Sequence, residues 1–195
     1  MGEIKSAFEK AMEKVESLGE ASEEELMRWK YIPEGQKLAA SYLKDECNLA
    51  VEVGKYVDKE KPIVTEGAEE VLLRNIDLPV NDFAKKNNKK AMEAIKALKN
   101  DKGGVENVYS KIRHVFSHYE QEGEQQRKQS YEMLKQDFQT KIQQVMRQQG
   151  LPASANIDIE RQPQFLEEWR RVSSQLDSQY YKLLDEYKQE IASIR

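Results

Sequence analysis

Between Val105 and Gln149 the chain contains no proline and a single glycine, Gly123. These are the residues that most often end helices, so the stretch predicts one continuous helix, which at 1.5 Å per residue would reach roughly 65 to 70 Å. A helix of that length needs a partner along it. One follows the loop GLPASANIDIERQP: Leu166, Trp169, Ser173, Leu176, Tyr180, Leu183, Tyr187 and Ile194 recur at three- and four-residue steps, with Ile191 one position off the seam.

Two long helices joined by a short loop return antiparallel, so residues 104–195 are expected to form a helical, coiled-coil-like hairpin with its loop at 150–162. If Phe165 sits near Met146, Tyr180 falls near Tyr131, Tyr187 near Gly123 or Glu124, and Ile194 near Ser117. The tip then matches well, with Tyr131, Leu134, Phe138, Ile142 and Val145 facing Phe165, Trp169, Val172 and Leu176. Toward the base QEGEQQRKQS has no apolar stripe, whereas Leu183, Leu184, Tyr187 and Ile191 opposite it do. That ridge requires either the N-terminal helices or a second chain, the latter giving a homodimer. In this register Gly123 is a hinge or a socket for the Tyr187 ring.

Residues 1–103 predict a multi-helix body of short helices broken at Gly19, Pro33, Pro62 and Pro79. Ile4, Phe8, Ala11, Val15 and Leu18 set a first helix over about Glu3 to Leu18. Ser22 with Glu25 forms a capping box that starts a second, running until Pro33, and Gln36 to Val57 makes a third. Pro62 and Pro79 open two more, the last ending at NDKGG around Gly103 and Gly104. No window alternates as a half-buried strand would, and IDIE near Ile157 is the one strand-like piece. The fold class is all-α.

Composition narrows the chemistry. Leu, Ile, Val and Phe make up only about 22% of residues, near the level at which chains become disordered, but charged residues at 34% balance to a net charge of -4. Exposed helices suit that balance better than a disordered tail. One cysteine, Cys47, excludes an internal disulfide, and with two histidines it cannot complete a structural zinc site without carboxylates or a second chain. No apolar run approaches a membrane span, and the charged start MGEIKSAFEKAMEKVE lacks a signal peptide's core, so a cytoplasmic protein is expected.

His114 and His118 stand one helical turn apart, a spacing that can bring two imidazoles to one metal. The apolar residues Ile112, Val115, Phe116 and Tyr119 define the buried face, and both histidines point away from it. Neither Glu-x-x-His nor HExxH is present, so two solvated imidazoles are the leading expectation, with a metal between chains or a pH-responsive contact as the alternative. Glu46 falls among Ala39, Tyr42, Leu43, Ala50, Val53 and Val57 on a helical wheel, which makes it a candidate buried carboxylate, paired or functional. Cys47 flanks the same stripe as a packing residue.

The one basic region is Lys85 to Lys102, KKNNKKAMEAIKALKNDK; residues 81–103 carry a net charge of +4 and residues 1–80 one of -7. Lysine without arginine or interleaved aromatics reads first as a solvated helix face, and nucleic-acid binding is an alternative that the acidic overall balance opposes. GxSxG, GxxxxGK[ST] and GxGxxG are all absent, so no catalytic residue, no cofactor and no small-molecule substrate is assigned.

The opening MGEIKSAFEKAMEKVE, with EEEL soon after, resembles a group of small bacterial proteins of uncharacterised function that begin with MGEIKS-like helices. The resemblance spans residues 1–30 and implies a bacterial cytoplasmic origin without supplying catalytic positions. The expected function is a non-enzymatic helical scaffold or adaptor, working through a protein partner or self-association. Its interaction residues would be Trp169, Leu176, Tyr180, Leu183, Tyr187 and Ile191.

Overall fold

The computed structural model describes residues 22–57, 59–149 and 158–194. Within them the protein is all-α: α1 (Glu23–Leu43), α2 (Leu49–Val53), α3 (Glu60–Arg74), α4 (Asp82–Leu98), α5 (Lys102–His118), a π-helical turn (Tyr119–Gly123), α6 (Glu124–Gln148), a 3-10 turn (Ile159–Arg161) and α7 (Pro163–Ser193). The expected helix at Glu3–Leu18 and the stop at Gly19 lie outside the described residues.

The chain divides into two compact units, Met1–Leu72 and Leu73–Arg195. The boundary expected at residues 103 and 104 is therefore displaced, because α4 packs against α5 and belongs with the hairpin. Gly103 and Gly104 do not end α4. They form the first turn of α5, where the Asp101 side chain accepts from the Gly104 N–H at 2.8 Å, and a Cβ on Gly104 would lie 2.5 Å from the Asp101 carboxylate.

In the first unit, the predicted capping box starts α1: Ser22 Oγ accepts from the Glu25 N–H, and Glu25 Oε2 accepts from the Ser22 N–H at 2.8 Å. The helix does not stop at Pro33. Proline removes the donor to the Trp29 carbonyl and strains the preceding turn, a cost of about 3 kcal/mol in isolation, yet α1 continues to Leu43 because contacts on both sides of the proline hold it. A Cβ on Gly35 would lie 2.0 Å from the Val64 carbonyl oxygen, and one on Gly67 would lie 2.2 Å from that of Ile32. The α1 and α3 backbones thus touch reciprocally at two glycines. Arg28 grips Glu66 through two hydrogen bonds of 2.8 and 2.5 Å, and Gln36 donates to Glu70 at 2.9 Å.

The third expected helix, Gln36 to Val57, is two pieces. Asp45 takes a left-handed conformation with φ 66°, and Asn48 caps α2 by accepting from the Val51 N–H. Pro62 likewise sits inside the first turn of α3 rather than before it, a position where its missing N–H has no intrahelical partner to lose.

In the second unit, Asn81 caps α4, and the buried Asn88 exchanges two hydrogen bonds with Asp77: its amide donates to the Asp77 carbonyl at 2.6 Å and its oxygen accepts from the Asp77 N–H at 2.8 Å. The core gathers Ile76, Leu78, Ala91 and Ile95 with Val105, Tyr109 and Ile112, and closes on α7 through Leu184 and Ile191. Tyr109 donates to the Met92 carbonyl at 2.8 Å. Buried Lys99 donates to the Ile194 carbonyl at 2.5 Å, which places a cation at the C-terminal end of α7.

From Lys102 to Gln148 the helix runs unbroken for 47 residues, and α7 returns antiparallel along it. The register differs from expectation. Phe165 stacks edge-on against Tyr131 and Phe138, both at 5.4 Å between centroids, rather than reaching Met146. Ile159–Arg161 is a 3-10 turn, not a strand, and Glu160 binds Lys135 at 2.6 Å, which fixes where α7 starts along the long helix. Tyr180 is consequently carried to Gly123, where Tyr187 was expected, and Lys111 bonds to Glu190 at 2.8 Å.

The buried stripe of α7 also differs from the expected one. Leu184 and Ile191, both 0% exposed, lie at its centre, and Leu183, at 41%, lies off it. Leu184 and Ile191 lie where α7 packs against α5 rather than the polar QEGEQQRKQS run, so this part of the apolar ridge is covered within the chain.

Candidate functional site

The π turn Tyr119–Gly123 is where the two long helices make their most specific contact. One residue in a wider i to i+5 turn disturbs the backbone ladder, and α-helices carry such turns chiefly where a side chain must be placed. Gly123 is buried, and a Cβ there would lie 2.9 Å from the Tyr180 hydroxyl and 3.2 Å from Arg127 Nη1. The Tyr180 ring fills that space, meeting Tyr119 edge-on at 5.2 Å.

Arg127 braces the same turn. Its guanidinium lies 4.1 Å over the Tyr119 ring, donates to the Tyr119 carbonyl at 3.1 Å, and donates to Asp177 of α7 at 3.1 Å. Both charged side chains are only about a fifth exposed, at 18% and 20%, so this pair is shielded from water more than the surface pairs are. Burial raises the hydroxyl pKa of Tyr119 and Tyr180, which keeps both phenols protonated.

The Tyr180 hydroxyl lies 3.0 Å from Nδ1 of His118. In one tautomer the phenol donates to a bare nitrogen, and in the other Nδ1–H donates to the phenol oxygen. His114 and His118 are both exposed as expected, and His118 is in addition engaged with α7 through Tyr180. Among the described residues no group of three or more His, Cys, Asp and Glu is placed to hold a metal ion.

Beside Tyr180 a groove of about 690 Å³ opens between α7 and the long helix. Val115, Val172, Leu176 and Leu183 form its apolar wall. Gln126, Gln175 and Gln179 edge it with amides, and His114, His118 and Tyr180 complete it. None of the described residues lining it is Asp, Glu, Lys or Arg. Nearer the tip a second groove shares Gln175 and carries Asp137, Glu167 and Glu168 against Lys141, Arg170 and Arg171.

The expected interaction residues divide. Tyr180 and Ile191 are buried inside the unit; Trp169, Leu176 and Tyr187 are half-buried, Trp169 edge-on to Tyr131 at 5.0 Å; Leu183 is exposed. Glu46 is not a buried carboxylate: it is exposed in the bend after α1, where its N–H donates to the Ser41 carbonyl at 3.0 Å. The helical wheel failed because no helix passes through that position. Cys47 packs half-buried with its thiol toward the Leu38 carbonyl, and burial raises its pKa.

The basic helix α4 spends several lysines on ion pairs: Lys85 with Glu120 at 2.5 Å, Lys89 with Glu93 at 4.0 Å, and Lys96 with Glu106 at 2.5 Å. Lys96 and then Arg113 hold the Glu106 carboxyl below its usual pKa. No helix among the described residues is long and apolar enough to cross a membrane.

Comparison with curated proteins and with solved structures returned no match. A family model described as a family of unknown function, DUF6657, matches residues 50–193, a span that holds every residue of the π turn and of both hairpin grooves. The chain therefore belongs to that family, DUF6657.

Proposed function

We propose that the chain is a non-enzymatic helical scaffold or adaptor that works in the cytoplasm by presenting its hairpin to another protein surface. The observation that carries this reading is the divided face of α7. Its Leu184 and Ile191 edge closes the hairpin internally, whereas Leu183 is left 41% exposed on the uncharged groove and Leu166 49% exposed nearer the start of the helix. An isolated exposed leucine is ordinary, but Leu183 lines a concave surface between two braced helices. A single cysteine, half-buried with a raised pKa, fits a compartment where disulfides play no part.

The test is capture by immobilised full-length protein from extracts of its host, with mass spectrometry, comparing wild type with Leu166→Glu/Leu183→Glu. A protein retained by wild type and lost by the double variant, the chain itself included, supports the reading. Identical captures from both overturn it. Circular dichroism of the variant, whose substitutions are exposed, confirms that the helices persist.

The nucleic-acid alternative through Lys85 to Lys102 is weakened by the three ion pairs that Lys85, Lys89 and Lys96 make, since each would have to open before those lysines met phosphate.

A further inference from the structure

We infer that the uncharged groove beside Tyr180 is the contact surface for a second copy of this chain, related to the first by a two-fold axis. The inference rests on the reading of the hairpin as an interaction element and names the occupant of that surface.

The argument begins from charge. Asp, Glu, Lys and Arg make up 34% of the chain, yet none of them lines this groove among the described residues. In a two-fold contact each patch meets its own copy, so a patch of one sign repels itself, whereas a neutral patch does not. A binding site for a different, charged partner gains from fixed charges of the opposite sign. A site for itself gains from having none.

The hydrogen-bonding groups point the same way. A glutamine amide carries both donors and an acceptor, so Gln175 and Gln179 can pair with the same residues of a copy; lysine, with donors alone, or glutamate, with acceptors alone, cannot. Gln179 stands one helical turn from both Leu176 and Leu183, at the middle of the groove, which places it nearest the axis.

Beyond the neutral centre, the adjoining tip groove carries three acidic and three basic residues, so its charges sum to zero and opposite signs can meet across the contact. An apolar and amide centre with a charge-balanced rim is the usual anatomy of a protein interface.

Sedimentation equilibrium of the full chain, from low micromolar to submillimolar concentration at physiological salt, tests this. Wild type is expected to dimerise. Gln179→Glu and Gln179→Lys, both at an exposed position, are each expected to weaken the dimer by roughly tenfold or more through like-charge repulsion, and an equimolar mixture of the two is expected to re-form it. Phe83→Glu, on exposed α4 surface away from the groove, should change nothing.

A wild-type chain that stays monomeric throughout overturns the inference. So does a dimer indifferent to both charges, or a mixture that associates no better than either variant alone. If wild type is monomeric but captures another protein that Leu166→Glu/Leu183→Glu loses, this inference falls and the adaptor reading stands. If it is monomeric and captures nothing, both fall.

Discussion

The ring of Tyr180 stands so close to Gly123 that a methyl group on that glycine would lie 2.9 Å from the tyrosine hydroxyl. Gly123→Ala is expected to destabilise the second unit by about 1 to 2 kcal/mol, since a buried ring braced by Tyr119 cannot swing aside freely. Tyr180→Phe removes the oxygen that is met first and is expected to recover part of that loss, although alone it costs about 1 kcal/mol through the bond to His118. Urea denaturation of both single variants and the double variant reads this coupling. Strict additivity would refute the socket.

Arg127 serves the same junction with three contacts at once. Arg127→Met retains bulk but strands the Asp177 carboxylate and the Tyr119 carbonyl, and is expected to cost about 2 kcal/mol. Asp177→Asn should cost less, because an amide still accepts from the guanidinium. The two together should cost less than their sum in chemical denaturation.

In the first unit the crossing of α1 and α3 leaves no room at either glycine. Gly35→Ala and Gly67→Ala each push a methyl into backbone, which cannot rotate away as a side chain could, so each is expected to cost about 3 kcal/mol. Hydrogen exchange should show amides of α1 and α3 losing protection together. Undiminished protection in either variant would contradict this close approach.

Acid should weaken the second unit in a traceable way. The Glu106 carboxyl is held below its ordinary value of 4.5 by Lys96 and Arg113. A depressed folded-state pKa contributes stability that is present above the unfolded value and is lost as pH falls through the folded one. Glu106→Gln should therefore be less stable than wild type near neutrality, and the gap should close as pH falls below 4.5. Denaturation curves taken across that range measure it; a gap constant with pH would show that the ion pairs contribute nothing.

Local chemistry was legible in the sequence. Ser22 with Glu25 announces its capping box by spacing alone, and the sparse proline and glycine after Val105 announce the long helix. Features set by distant partners are not legible in the same way. Pro33 reads as a break because proline disfavours helix interiors, but its cost is offset by contacts of Arg28 and Gly35 with residues some thirty positions away. A register counted from a short loop puts Phe165 near Met146, and nothing in the local pattern shows Glu160 meeting Lys135. Gly123 was recognisable as a socket; which tyrosine fills it followed from that register. Arg127 lies in a polar run and gave no sign of Asp177 on the opposite helix.

The π turn has a consequence for the phase of the long helix. The residues that face α7 there step by four: Tyr119, Gly123, Arg127 and Tyr131. Four residues of α-helix turn through about 400°, so each step would overshoot the partner by about 40° and the line of contact would wander off α7 within a few turns. The wider turn absorbs part of that overshoot, acting as a gearing correction between the aromatic tip and the aliphatic base. Forcing the same residues into plain α-helix, with none deleted, would restore the overshoot and turn Tyr131 and Phe138 away from Phe165. The irregularity is what lets one rigid rod keep two different faces in step with a single partner.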